Sequence, residues 1–189
     1  MAQLKMLWYP ENPRGYKDAA PGFTVTPMKA DMIEGWCEAN IALTEKKWSN
    51  QQFVENMLFA PPLPLSPRHI FCAVEDATGR VVATAAACMD GASKRGNLHM
   101  VSSVEDIRGK GVGRAVCDAA VRCFVDNGIA EADLSTDDFR IPAIKIYLAL
   151  GFRPYLYETD MPDRWRAIKK TLGLEHLDAY DVEKQPLTL

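Results

Sequence analysis

The stretch Leu98–Arg114, LHMVSSVEDIRGKGVGR, constrains this chain more than any other. Leu98, Met100, Ser102 and Val104 alternate with His99, Val101 and Ser103, a period of two that predicts a strand over Leu98–Val104. Arg108-Gly109-Lys110-Gly111-Val112-Gly113-Arg114 then forms a glycine-rich turn with three positive charges. A helix opens at once, with Val112, Val116, Ala119, Ala120, Cys123 and Phe124 on one stripe. Strand, glycine turn and helix start together make an anion site. The first amides of a helix lack internal partners, its dipole favours negative charge, and glycines let an oxygen approach the backbone. The anion this predicts is a phosphate or a pyrophosphate.

Spacing narrows the ligand. The phosphate-loop pattern GxxxxGK[ST] is absent, and the dinucleotide pattern GxGxxG fails because Arg114 stands where its third glycine belongs. What stands is Arg-x-x-Gly-x-Gly at Arg108, Gly111 and Gly113. This resembles the coenzyme A pyrophosphate loop of the GNAT superfamily of N-acetyltransferases. Asp138–Phe152, DFRIPAIKIYLALGF, is similar to a second segment of that family: Ala143, Tyr147, Gly151 and Phe152 match, and Arg140 stands where the family often has Asn. The resemblance covers roughly Phe23 to Tyr157.

The resemblance implies an α/β (α+β) fold with a mixed, mostly antiparallel central sheet of about six to seven strands, with helices on both faces. It implies acetyl-CoA as cosubstrate and transfer of its acetyl group to a primary amine, without an acyl-enzyme. Gly109, Lys110, Gly111, Val112, Gly113 and Arg114 would hold the pyrophosphate, with charge from Arg108 and Lys110. Ser102, Ser103 and Val104 would carry the pantetheine arm, the backbones of Ser102 and Val104 pairing with it. The Val104 amide would serve as oxyanion donor, and the Tyr147 hydroxyl would protonate the leaving thiolate. His99 stands where some relatives carry a base. On the residues alone it is equally a structural histidine, and its strand parity is opposite to that of Ser102 and Val104 unless a bulge intervenes. Glu75, Asp137 and Asp138 are rival bases or substrate anchors.

Length and charge bound the rest. The chain has 189 residues, enough for one domain with a sizeable core. That domain is expected to span 1–189, with a core over about 23–157, an irregular Pro- and Gly-rich arm over 1–21 and a C-terminal helix and tail over 160–189. A net charge of -3 argues against general affinity for nucleic acid. No apolar run reaches the length of a membrane span, and the start does not read as a signal peptide, so a cytoplasmic enzyme is expected. Five cysteines without a CxxC pair read as buried thiols, and three scattered histidines as no zinc set, so no metal is expected. A homodimer is compatible with these residues and not dictated by them.

Along the chain, Phe23–Thr26 reads as a strand, and helices are predicted from Asp31 and over Ser49–Leu58. The run Ala60–Pro67 reads as a stiff connector. His69–Glu75 and Arg80–Met89 form a predicted hairpin. Arg114, Asp118, Arg122 and Asp126 recur every fourth residue with alternating sign, the pattern of a solvated helix face. The strand Glu131–Thr136 leads to a helix from Pro142 to Gly151 and a strand over Arg153–Tyr157. The stripe Met161, Trp165, Ile168 and Leu172 marks a final helix. A non-catalytic acyl-CoA-binding or sensing module is the alternative to an enzyme. It would keep the loop and have no use for Tyr147.

Overall fold

A computed structural model of the chain describes residues 2–12, 14–15 and 19–189. Its contacts divide into two compact units, Tyr16–Ala130 and Met1–Gly15 with Glu131–Leu189.

In Tyr16–Ala130, four strands follow one another as antiparallel neighbours: β2 (Phe23–Pro27), β3 (Ile70–Glu75), β4 (Val81–Asp90) and β5 (Arg95–Ser103). Three short helices, α1 (Ile33–Ala39), α2 (Ile41–Thr44) and α3 (Asn50–Phe53), lie between β2 and β3. Ser49 caps α3 in a capping box with Gln52, and the helix continues as a π-turn over Val54–Phe59. β4 is buried along nearly its whole length because both of its faces are covered. Ile70, Cys72 and Ala86 pack with Trp36 and Phe53 of the short helices, and α4 (Val112–Asp126) contacts the sheet as well. The Trp36 ring is fully buried and meets Phe53 edge-on at 4.9 Å. Burying about 150–250 Å² of ring at about 25 cal/mol per Å² contributes about 4–6 kcal/mol.

The other unit is built around the beginning of the chain. β1 (Leu4–Trp8) lies between β6 (Glu131–Thr136) and β7 (Arg153–Tyr155), antiparallel to both. Leu4, Met6 and Trp8 are fully buried there. The expectation of an irregular arm over 1–21 is therefore corrected for Leu4–Trp8; Met1, Pro13 and 16–18 of that arm lie outside the described residues. α5 (Ile141–Ala149) forms where a helix from Pro142 to Gly151 is predicted, and α6 (Met161–Leu172) follows its predicted stripe. The tail, patternless as sequence, forms β8 (Asp178–Tyr180) and β9 (Pro186–Thr188), with β8 parallel to β7. The strands number nine among the described residues, where six to seven were expected; β1, β8 and β9 account for the difference. The fold class is as expected: mixed, mostly antiparallel, with flanking helices.

Candidate active site

The glycine turn is held open by two apolar anchors. Ile107, in a single 3-10 turn after β5, and Val112, the first residue of α4, are 2% and 1% exposed. Between them Arg108, Gly109, Lys110 and Gly111 stand in solvent. Gly111 caps α4 at φ +77°, the left-handed region that glycine enters without strain. Nothing lies within 4 Å of where a Cβ would sit on Gly109 or Gly111. The first helical bond runs from the Ala115 amide to the Gly111 carbonyl. The amides of Gly109, Gly111, Val112 and Gly113 donate to no acceptor among the described residues. An open cradle of orphan amides at the start of a 15-residue helix is the arrangement an anion fits. Of the cations, Arg108 pairs with Glu105 at 3.0 Å in full solvent, and Lys110 lies over the Phe23 ring at 5.7 Å. Arg114 approaches Asp118 at 3.8 Å, and Asp118 is only 2% exposed. The predicted solvated face of α4 is thus corrected at Asp118, which α4 carries inward.

β5 leads into this cradle through a bulge. Thr84 pairs with Ser102 and Ala86 with His99, so Met100 and Val101 stand opposite the single Ala85. Met100 takes up the extra residue at φ +47°, and is the non-glycine within a described strand to hold a positive φ. Because Thr84 and Ala86 share one face of β4, so do Ser102 and His99. The parity objection to His99 is removed by the bulge. The imidazole is half-buried and makes no hydrogen bond to a described residue, and burial lowers its pKa, keeping it neutral. Ser103 points to the α4 side, where a Cβ on Gly113 would lie 4.0 Å from it.

Val104 is a correction. Its amide donates to the Val82 carbonyl at 2.9 Å, so the ladder uses the group that was expected to hold an oxyanion. Backbone groups alternate between a strand's two edges. Ser102 and Val104 direct theirs at β4, and Ser103 directs its N–H and C=O to the opposite edge.

Tyr147 belongs to the other unit. It is 6% exposed, on α5. The matching segment around it has a structural reading of its own. The Phe152 amide donates to the Tyr147 carbonyl at 3.0 Å and the Gly151 amide to the Leu148 carbonyl at 3.1 Å. Gly151 sits at φ +92°, and the Tyr147 and Phe152 rings meet edge-on at 6.2 Å. That is a Schellman cap, with its hydrophobic contact between the third residue from the helix end and the second beyond it. Tyr-x-x-x-Gly-Phe therefore ends a helix whatever else it does.

The rival bases are engaged elsewhere. Arg164 donates from Nε to Asp138 at 3.0 Å and its guanidinium holds that carboxyl below the usual carboxylate range. Asp137 accepts from Arg140 at 2.9 Å and from Gln3 at 3.1 Å. Glu75 accepts from Thr78 at 2.6 Å in the β3–β4 turn. All five cysteines are buried, and burial pushes the Cys72 and Cys88 thiols up to about 12 and Cys123 to about 11, so these are not thiolates at neutral pH.

A model described as the acetyltransferase (GNAT) family matches residues 33–152, well over half of the 189. The chain belongs to the GNAT family. Among GNAT proteins, it is 29% identical over 77 residues to the mycothiol acetyltransferase of Corynebacterium jeikeium, a match covering 41% of this chain and 22% of that protein. It superposes on a GCN5-related N-acetyltransferase from Sphaerobacter thermophilus with a TM-score of 0.61 at 18% identity, over 82% of this chain and 49% of that one. The ribosomal-protein-S18-alanine N-acetyltransferase from Escherichia coli gives 0.55 at 19% identity, over 74% and 86%. At these identities the structural likeness is one of fold. The chain spans about half the length of the Sphaerobacter GNAT protein and less than a quarter of the mycothiol acetyltransferase. No described helix is long and apolar enough to cross a membrane, and no group of three or more described His, Cys, Asp or Glu residues could hold a metal.

Two residues of this site carry no signal in a motif. Asn40 and Thr84 are fully buried beneath β5 and hydrogen-bonded to each other. The one sequence hint is a lone hydroxyl inside the apolar run Val81–Met89.

Proposed function

We propose that this GNAT chain transfers the acetyl group of acetyl-CoA to a primary amine by direct attack in a ternary complex. The observation that carries this reading is the cradle formed by the unpartnered amides of Gly109, Gly111, Val112 and Gly113, with open space beside Gly109 and Gly111. The pyrophosphate sits on those amides, with Arg108, Lys110 and Arg114 adding charge. The pantetheine arm runs along the end of β5 at Ser102–Val104, where the backbone of Ser103 faces away from β4. The amine nitrogen attacks the thioester carbon, a C–N bond forms and the C–S bond breaks. His99, neutral through burial, takes the ammonium proton, and Tyr147 gives a proton to the departing thiolate. The buried, protonated thiols argue for direct attack over a cysteinyl acyl-enzyme.

The acceptor is a small-molecule or peptide amine, the two classes that the names of the similar proteins span. A second reading, a non-catalytic acyl-CoA-binding module, draws on the Schellman cap, which gives Tyr147 a reason to be present without chemistry. Free-thiol release from acetyl-CoA across a panel of amines, with the N-acetyl product identified by mass spectrometry, separates the two. Product with at least one amine is expected. Tight acetyl-CoA binding with no product for any amine would favour the binding module.

A further inference from the structure

The buried polar groups beneath β5 carry an inference that rests on the role given to His99 above. Met100 holds a backbone conformation that side chains disfavour, and such a residue persists only where its neighbours over-determine it. Here they do. Thr84 Oγ1 donates to the Met100 carbonyl at 3.1 Å. Asn40 Nδ2 donates to Thr84 Oγ1 at 3.0 Å and to the Trp36 carbonyl at 2.9 Å. Ser102 Oγ, on the far side of the bulge, donates to the Ala39 carbonyl at 2.7 Å. The end of α1 is thereby tied to β5 at Met100, through Thr84, and at Ser102.

Asn40 and Thr84 are 0% exposed, on a sheet face otherwise lined by Ile70, Cys72 and Ala86. An apolar pair would fill that place without desolvating a hydroxyl and an amide. A satisfied buried network instead specifies one arrangement. What it specifies is a register: a one-residue slip sends a side chain to the opposite face. Without the bulge, His99 would leave the face of Thr84 and Ser102 for that of Ser103.

We propose that Asn40 and Thr84 are positioning residues: they pin the Met100 bulge and so hold His99 on the face it shares with Ser102. They act on acyl transfer through His99 and touch no reactant. The test reads the His99 ring directly, by the nuclear Overhauser cross peak between its imidazole protons and the methyl of its cross-strand partner Ala86. Thr84→Val, which keeps the shape and removes the hydroxyl, should lose or weaken that cross peak, and Thr84→Ser should restore it. Met100→Gly in the Thr84→Val background should also restore it, because glycine adopts the bulge conformation unaided. A merely structural threonine would not be rescued at Met100. Thr84→Val failing to fold while the double variant folds with the cross peak supports the same conclusion. An unchanged cross peak in Thr84→Val, or a double variant that does not restore it, overturns the proposal. Loss of the base role would show separately, as a His99→Ala variant with an unaltered rate profile, since the cross peak needs no acyl transfer.

Discussion

The two units reach their sheets by opposite routes. In Tyr16–Ala130, β2 to β5 pair in chain order, and the β3–β4 and β4–β5 turns are short hairpin connections. In the other unit the central strand β1 pairs Leu4 with Thr136 and Lys5 with Tyr155. The whole of the other unit lies between those partners in sequence. Local pairings leave local signatures such as turns, caps and alternation. A strand recruited from the far end of the chain leaves only its own composition. The catalytic candidates divide the same way, with the cradle and His99 in the first unit and Tyr147 in the second.

That contrast can be broken at its most exposed claim, that the chain's beginning is core. Trp8→Ala is expected to destabilise the protein by about 3–5 kcal/mol, as much as is expected of Trp36→Ala in the other unit, measured by denaturant unfolding. A change of less than about 0.5 kcal/mol at Trp8 would return β1 to the status of a surface arm. Next comes Tyr147→Phe, which keeps the ring contact with Phe152 and the Schellman cap. Turnover should fall about 100-fold or more, with stability moving by no more than about 1.5 kcal/mol and acetyl-CoA affinity retained. Equal turnover would leave this tyrosine with its structural role alone.

Smaller effects sharpen the account of the cradle. Gly111→Ala, at φ +77°, should cost about 1–2 kcal/mol of stability. Gly113→Ala lies inside α4 with only the Ser103 side chain near, at 4.0 Å, and should be neutral or stabilising by up to about 1 kcal/mol. Thermal unfolding of the pair reads the difference, and equal losses would contradict the cap geometry. The smallest effect is on pH. Burial holds the His99 pKa below the ordinary imidazole value of about 6.5. Between those two values the unfolded chain binds more protons than the folded one, so stability is full above about 6.5 and declines as pH falls. The acidic limb of kcat/KM should lie below about 6.5 for the same reason, and His99→Gln should remove it. A limb unmoved by that substitution would assign it to another group.

Much of the cradle was legible because its parts are local. A strand, a glycine turn and an apolar stripe from Val112 predict α4 and its orphan amides, and β6, α5 and α6 follow their patterns closely. β1 was missed for a physical reason: Leu4, Met6, Leu7 and Trp8 are nearly continuous in hydrophobicity, as a strand buried on both faces must be, and the flanking prolines and glycines resemble a tail. β8 and β9 are three residues each, too short for any period to show. A bulge could be raised as a condition on His99 but not placed, because Met100 is neither Gly nor Asn, and the Val104 amide was misassigned for want of its ladder partner Val82. Asp118 shows the limit of charge patterning. The i,i+4 pairing with Arg114 exists, but α4 carries the carboxylate inward.

Calorimetric titration with acetyl-CoA, with NAD as the control ligand and Gly111→Glu as the control protein, tests the cradle most directly. Micromolar binding of acetyl-CoA, no response to NAD and loss of binding in a folded Gly111→Glu variant are expected. Absence of acetyl-CoA binding, or binding that survives Gly111→Glu unchanged, would contradict the assignment and reduce the glycine turn to the start of a helix.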